Sequence, residues 1–221
     1  MTRRELARLV DHSVLKPEAS EKEIVAGADV VRQWGIGFYC VPPSHVALAR
    51  QALQGTGAGV VSVIGFPLGY DRSAVKARAA ATAVQDGAAE VDMVMNVGRL
   101  KSGRHQGVAD EIRQVVAAVP GIPVKVILEA CLLTDEEKAA ACHLVQDAGA
   151  AFVKTSTGFH PKGGATVEDV RLLRTTVGPA FGVKAAGGIR TLADAMAMLE
   201  AGANRLGTSA SAAILAALPA D

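Results

Sequence analysis

Two lysines lie near the carboxyl ends of apolar runs that read as β-strands, Lys154 in AFVKTSTGF and Lys184 in FGVKAAGGIR. Burying an unpaired ammonium is costly, so a lysine in such a run needs a partner or a task. Two of them, one repeat unit apart, suggest a shared pocket. A lysine desolvated beside a second cation loses its proton more readily and becomes an amine nucleophile near neutral pH. The pair therefore points to imine (Schiff-base) chemistry. Side chains alternate along a strand, which puts Asp92 on the face of Glu90, Val94 and Asn96, and Lys125 on the face of Ile127 and Glu129. If such faces point into one lumen, Asp11, Asp92, Lys125, Lys154 and Lys184 gather and neutralise one another. Facing a helix layer, each would be buried and unpaired. A lone strand lysine is more often a salt-bridged residue than a nucleophile, and Lys125 with Glu129 reads equally well as a structural pair. The joint pattern is what carries the expectation.

Phosphate is the second signal. Lys184 is followed by Ala185-Ala186-Gly187-Gly188-Ile189-Arg190, and the last apolar run leads into Gly207-Thr208-Ser209-Ala210 before an Ala-rich helix. Glycines let backbone N–H groups approach an anion, and a helix amino terminus favours negative charge. No GxGxxG fingerprint follows a strand, so a nicotinamide enzyme has little support. The histidines His12, His45, His105, His143 and His160 show no HxH or HExxH spacing, which disfavours a metal-dependent lyase. Cys40 and the Met93/Met95 and Met196/Met198 pairs read as packing.

The elements that must position these residues follow one repeating pattern: a helical stretch, a glycine turn, a short apolar run. The runs are 37–41, 60–66, 90–96, 123–129, 151–156, 182–186 and 205–209, roughly 22 to 33 residues apart, the size of a βα unit. Val10–Ser13 is a short eighth candidate, behind a short N-terminal helix. Ser20-x-x-Glu23 and Thr134-x-x-Glu137 are helix-start capping boxes, with Thr166-x-x-Asp169 and Thr191-x-x-Asp194 as looser versions. Alternating βα units allow an open doubly wound sheet or a closed barrel. The even spacing and a count near eight favour an α/β, single-domain (β/α)8 TIM barrel over residues 1–221, whose active site would sit at the carboxyl ends of the strands.

Half of the 221 residues are hydrophobic and only 4% aromatic, the usage of helices packed on parallel strands. Lys plus Arg (23) nearly cancels Asp plus Glu (22), so no global field draws nucleic acid or an anionic membrane. Cys40, Cys131 and Cys142 form neither a disulfide framework nor a metal motif. The first residues lack a signal-peptide core, and no apolar run approaches the roughly 20 residues of a membrane helix. A cytoplasmic protein acting on small molecules is expected.

The blocks LVDHSVLKP, GFPLG, EVDMVMNVGRLKSG, VKVILEACLLTDEE, FVKTSTGF, VKAAGGIRT and NRLGTSA together resemble the deoxyribose-phosphate aldolases of the class I, DeoC-like type, over about residues 8 to 212. The resemblance implies a (β/α)8 barrel that reversibly cleaves 2-deoxy-D-ribose 5-phosphate into acetaldehyde and D-glyceraldehyde 3-phosphate, without cofactor or metal, as a homodimer or homotetramer. It puts the Schiff-base lysine on Lys154, the pKa-lowering lysine on Lys184 and the proton-transferring aspartate on Asp92. Asp11 and Lys125 match supporting polar positions, and Gly158, Gly187, Gly188, Gly207 and Ser209 match phosphate-binding positions. Two departures stand out. Phe159 occupies a position where some relatives carry a phosphate-proximal lysine, leaving Lys162 and Arg190 to compensate. The chain also closes on Leu218-Pro219-Ala220-Asp221, without the tyrosine some relatives carry in a tail. Another class I aldolase on the same barrel, or a non-catalytic phosphosugar-binding barrel, are the competing readings.

Overall fold

The computed structural model describes residues 1–220; Asp221, the last residue of the expected domain, lies outside the described residues. Eight parallel strands close into a barrel in chain order: β1 Val10–Ser13, β2 Phe38–Val41, β3 Gly59–Ile64, β4 Glu90–Val94, β5 Val124–Ile127, β6 Phe152–Lys154, β7 Gly182–Ala186 and β8 Arg205–Thr208. Around them lie α1 Arg3–Arg8, α2 Glu21–Trp34, α3 Val46–Ala52, α4 Ser73–Gln85, α5 Val97–Lys101, α6 His105–Ala118, α7 Asp135–Asp147, α8 Val167–Val177, α9 Leu192–Glu200 and α10 Ser211–Ala216. α1 precedes β1, and the short Val10–Ser13 candidate is a full barrel strand that pairs with both β2 and β8.

Helix starts follow local chemistry. Ser20, Thr134 and Thr191 each accept from the backbone three residues on, while Glu23, Glu137 and Asp194 reach back to the cap. Thr166 caps α8, but Asp169 does not close the box; its carboxylate pairs with Lys138 of α7 at 2.6 Å instead.

Parity sorts the strand side chains into two populations. Val10, Tyr39, Val60, Met93, Val126, Val153, Val183 and Leu206 face outward and join one core with the buried faces of the helices. Each such fully buried aliphatic side chain contributes roughly 1.5–3 kcal/mol. Cys40, Val61 and Val63 face inward as a separate apolar patch on β2 and β3. The charged side chains of the strands share this inward face, with the Phe38 and Phe152 rings among them.

Candidate active site

The lumen charges come from β1 and β4 to β8. Asp92 is the hub: its Oδ1 accepts from Lys125 Nζ at 2.9 Å, and its Oδ2 from Lys154 Nζ and Lys184 Nζ, both at 2.7 Å. Strand pairing sets this up, with Asp92 beside Lys125 across β4–β5 and Lys154 beside Lys184 across β6–β7. Lys184 also pairs with Asp11 of β1. Gly207 of β8 leaves room for it, since a Cβ there would stand 3.2 Å from Lys184 Cε. Below, toward the amino ends of the strands, Arg205 binds Asp11 at 3.0 Å and Glu90 at 2.9 and 3.2 Å, and Lys125 meets Glu90 at 2.6 Å. The Arg205 guanidinium lies 3.7 Å over the Phe38 ring and 5.5 Å from that of Phe152.

Electrostatics separates the members. Burial opposes charge on Asp92, yet Lys125, Lys154 and Lys184 outweigh it and hold the carboxyl well below the usual carboxylate range. Asp11 is likewise lowered: burial is overcome by Lys184, Lys125 and Arg205. The two central lysines part company. Burial pushes the Lys154 ammonium down, with Asp92 opposing and Lys184 adding to the fall. Burial acts on Lys184 too, but Asp11 and Asp92 together hold it above its ordinary value.

Above the charges opens a cavity of about 700 Å³ at the carboxyl ends of β1, β6, β7 and β8. Lys154 is the one lumen charge that lines it. Gly158, Gly187, Gly188, Gly207 and Ser209 line the same cavity, joined by Lys16 and Arg190. The loops after β6 and β7 meet here backbone to backbone. Gly187 takes φ 88°, and a Cβ on Gly164 would fall 2.3 Å from the Gly187 carbonyl. Only glycine fits that approach.

Residues 69–216 match the model of the DeoC/LacD family aldolases. The deoxyribose-phosphate aldolase of Streptococcus pneumoniae serotype 19F (strain G54) is 54% identical over 216 residues, 98% of each chain. The chain belongs to the DeoC/LacD aldolase family. Solved relatives agree: the aldolase QR15 superposes with a TM-score of 0.91 at 41% identity, covering 96% of this chain and 94% of the other. The deoxyribose phosphate aldolase of Aeropyrum pernix, described as a tetramer, superposes at 0.89 with 32% identity, covering 97% and 91%.

Within this family member, the five charges expected to converge do converge, and the five expected phosphate positions line one cavity. Lys125 does not pair with Glu129. β5 stops at Ile127, and Glu129 turns into the left-handed region at φ 53°, so alternation no longer applies there. Its carboxylate accepts instead from the Thr157 hydroxyl at 2.6 Å and amide at 3.1 Å, holding the loop that follows Lys154. Phe159 packs edge-on against Phe66, ring centroids 5.1 Å apart. Of the two cations named to compensate for it, Arg190 reaches the cavity lining and Lys162 does not. Arg205 and Lys16 went unnoticed in the sequence. Arg205 had a signal, since it has the parity of Gly207 at the head of its run; Lys16, in the loop after β1, had none.

Proposed function

We propose that this chain is a class I aldolase that reversibly cleaves 2-deoxy-D-ribose 5-phosphate into acetaldehyde and D-glyceraldehyde 3-phosphate, with Lys154 as the nucleophile. The observation that carries this reading is the position of Lys154: alone among the lumen charges it touches both Asp92 and the glycine-lined cavity.

In the cleavage direction the Lys154 amine adds to the C1 aldehyde of the open-chain sugar, and loss of water gives a protonated imine. That imine is the electron sink. Asp92, acting through a water, takes the proton of the C3 hydroxyl; the C2–C3 bond breaks, its electron pair flows into the imine, and glyceraldehyde 3-phosphate leaves. The same relay returns a proton to C2 of the enamine, and hydrolysis frees acetaldehyde and Lys154. A carboxylate held as low as Asp92 keeps no proton of its own, which suits a relay better than a store. Lys184 remains charged and keeps Lys154 from gaining a proton. Asp11 and Lys125 hold Lys184 and Asp92 in place. The phosphate lies against Gly158, Gly187, Gly188, Gly207 and Ser209, with Arg190 and Lys16 supplying positive charge.

The partners are these small molecules. No described helix is long and apolar enough to cross a membrane. The unpaired cysteines Cys40, Cys131 and Cys142 fit a cytoplasmic setting, and the tetrameric relative supports a homodimer or homotetramer. Borohydride reduction in the presence of acetaldehyde, followed by peptide mass mapping, tests the central claim. An ethyl adduct on Lys154, lost in Lys154→Ala, is expected; an adduct on Lys184 would reverse the two roles.

A further inference from the structure

The ion pairs beneath the cavity form a closed circuit. Asp11 pairs with Lys184, Lys184 with Asp92, Asp92 with Lys125, Lys125 with Glu90, Glu90 with Arg205, and Arg205 with Asp11 again. Signs alternate around it, so the three carboxylates and three cations of the ring cancel. Lys154 stands outside, attached only through Asp92 Oδ2, an oxygen that it shares with Lys184. It is a fourth cation with no carboxylate of its own.

We propose that Arg205 and Glu90 are positioning residues that complete this neutral ring and so leave Lys154 as the surplus cation, the one that gives up its proton. Charge in a buried lumen must balance nearly to zero, because each uncompensated ion costs several kcal/mol in lost hydration. Arg205 cannot relieve the imbalance, since a guanidinium keeps its proton. Lys125 and Lys184 each touch two carboxylates. Lys154 remains. Among the described residues no other charge faces it: β3 presents Val61 and Val63, and from β2 comes Cys40, whose thiol is pushed up to about 11, first by burial, and stays neutral. The two flanking aromatic rings fix Arg205 at the ring's lower edge, where neither it nor Glu90 lines the cavity.

The inference rests on Lys154 as the Schiff-base residue, and its test separates the two claims. The full-length protein is incubated with acetaldehyde and cyanoborohydride across a pH series, and the midpoint pH for ethylation of Lys154 is read by mass spectrometry. Removing the cation in Arg205→Gln leaves three lysines facing three carboxylates, so Lys154 keeps its proton and the midpoint rises by about one unit, the scale of one charge in a weakly screened interior. Removing the anion in Glu90→Gln moves the midpoint down. The double variant restores the surplus of one and returns the midpoint close to that of the parent, as does the conservative Arg205→Lys. Opposite shifts that cancel are expected. Single variants that shift the midpoint in the same direction, or not at all, would overturn the ring proposal. Should Arg205→Gln fail to fold, the Glu90→Gln shift and its reversal in the double variant decide. No adduct on Lys154 in the parent protein would overturn the underlying reading instead.

Discussion

At Lys154 three influences meet: burial, the Asp92 carboxylate and the Lys184 ammonium. Two of them disfavour the proton and one retains it, so removing Lys184 tips the balance. Lys184→Leu leaves Asp92 with two cations and Asp11 with Arg205 alone. The pH at which Lys154 becomes nucleophilic then rises, and each unit of rise lowers the free-amine fraction at neutral pH about tenfold. A pH–rate profile of the variant checks this; an unchanged acid limb would count against the coupling. Residues of this kind were readable wherever strict alternation held. Asp11, Asp92, Lys125, Lys154 and Lys184 all sit inside strands, where parity sets the face of each and the cost of burying unpaired charge points those faces into one lumen. Glu129 shows where that rule stops, because its backbone has already left the strand.

The elements themselves were readable from glycine turns and capping residues, which act over three or four neighbours and leave a local record. Observed strands end sooner than the apolar runs. Phe66, beyond the end of β3, is apolar because it packs on the inward patch of β2 and β3 and against Phe159, not because it extends a ladder. What no local signal exposed is the pairing that ties elements together. Lys76 of α4 looks like an ordinary surface helix lysine, yet it is buried and donates to the carbonyls of Gly69 at 2.5 Å and Val94 at 2.7 Å and to Glu111 of α6 at 2.8 Å. It clamps the loop after β3 to the end of β4. Lys76→Met would take from Glu111 its buried cation, leaving the Asn96 amide at 3.0 Å and Arg99 at 3.4 Å, and is expected to cost about 3 to 5 kcal/mol. Loss of the cap in Thr134→Ala should cost only about 1 kcal/mol. Urea unfolding of both variants gives the comparison; equal losses would mean that the clamp contributes no more than an exposed cap.

Across the whole molecule, the barrel and its charges specify one another. A one-residue slip of β8 would turn Arg205 toward the apolar helix layer and Leu206 into the ring, so the ion pairs select the register as firmly as the hydrophobic pattern does. Acid should undo the fold in stages. His12 of β1 is buried between Tyr39 and Ser211, its Nδ1 2.8 Å from the Ser211 hydroxyl, and burial lowers its pKa to about 4. The unfolded chain therefore takes up this proton first. Stability is fully present above about 6.5 and falls toward about 4, by about 3 kcal/mol. The lowered carboxyls of Asp11 and Asp92 add further losses only at still lower pH. His12→Asn, whose amide can still meet Ser211, should flatten the melting temperature between pH 6.5 and 4.5; an unchanged slope would assign the acid sensitivity elsewhere. The backbone contact between Gly164 and Gly187 reaches further still. With no side chain between them, the loops after β6 and β7 form one packing unit, so a change in the length of one has to be matched by the other. New substrates for this barrel should therefore come through paired loop changes, and grafting one of the two loops alone should fail.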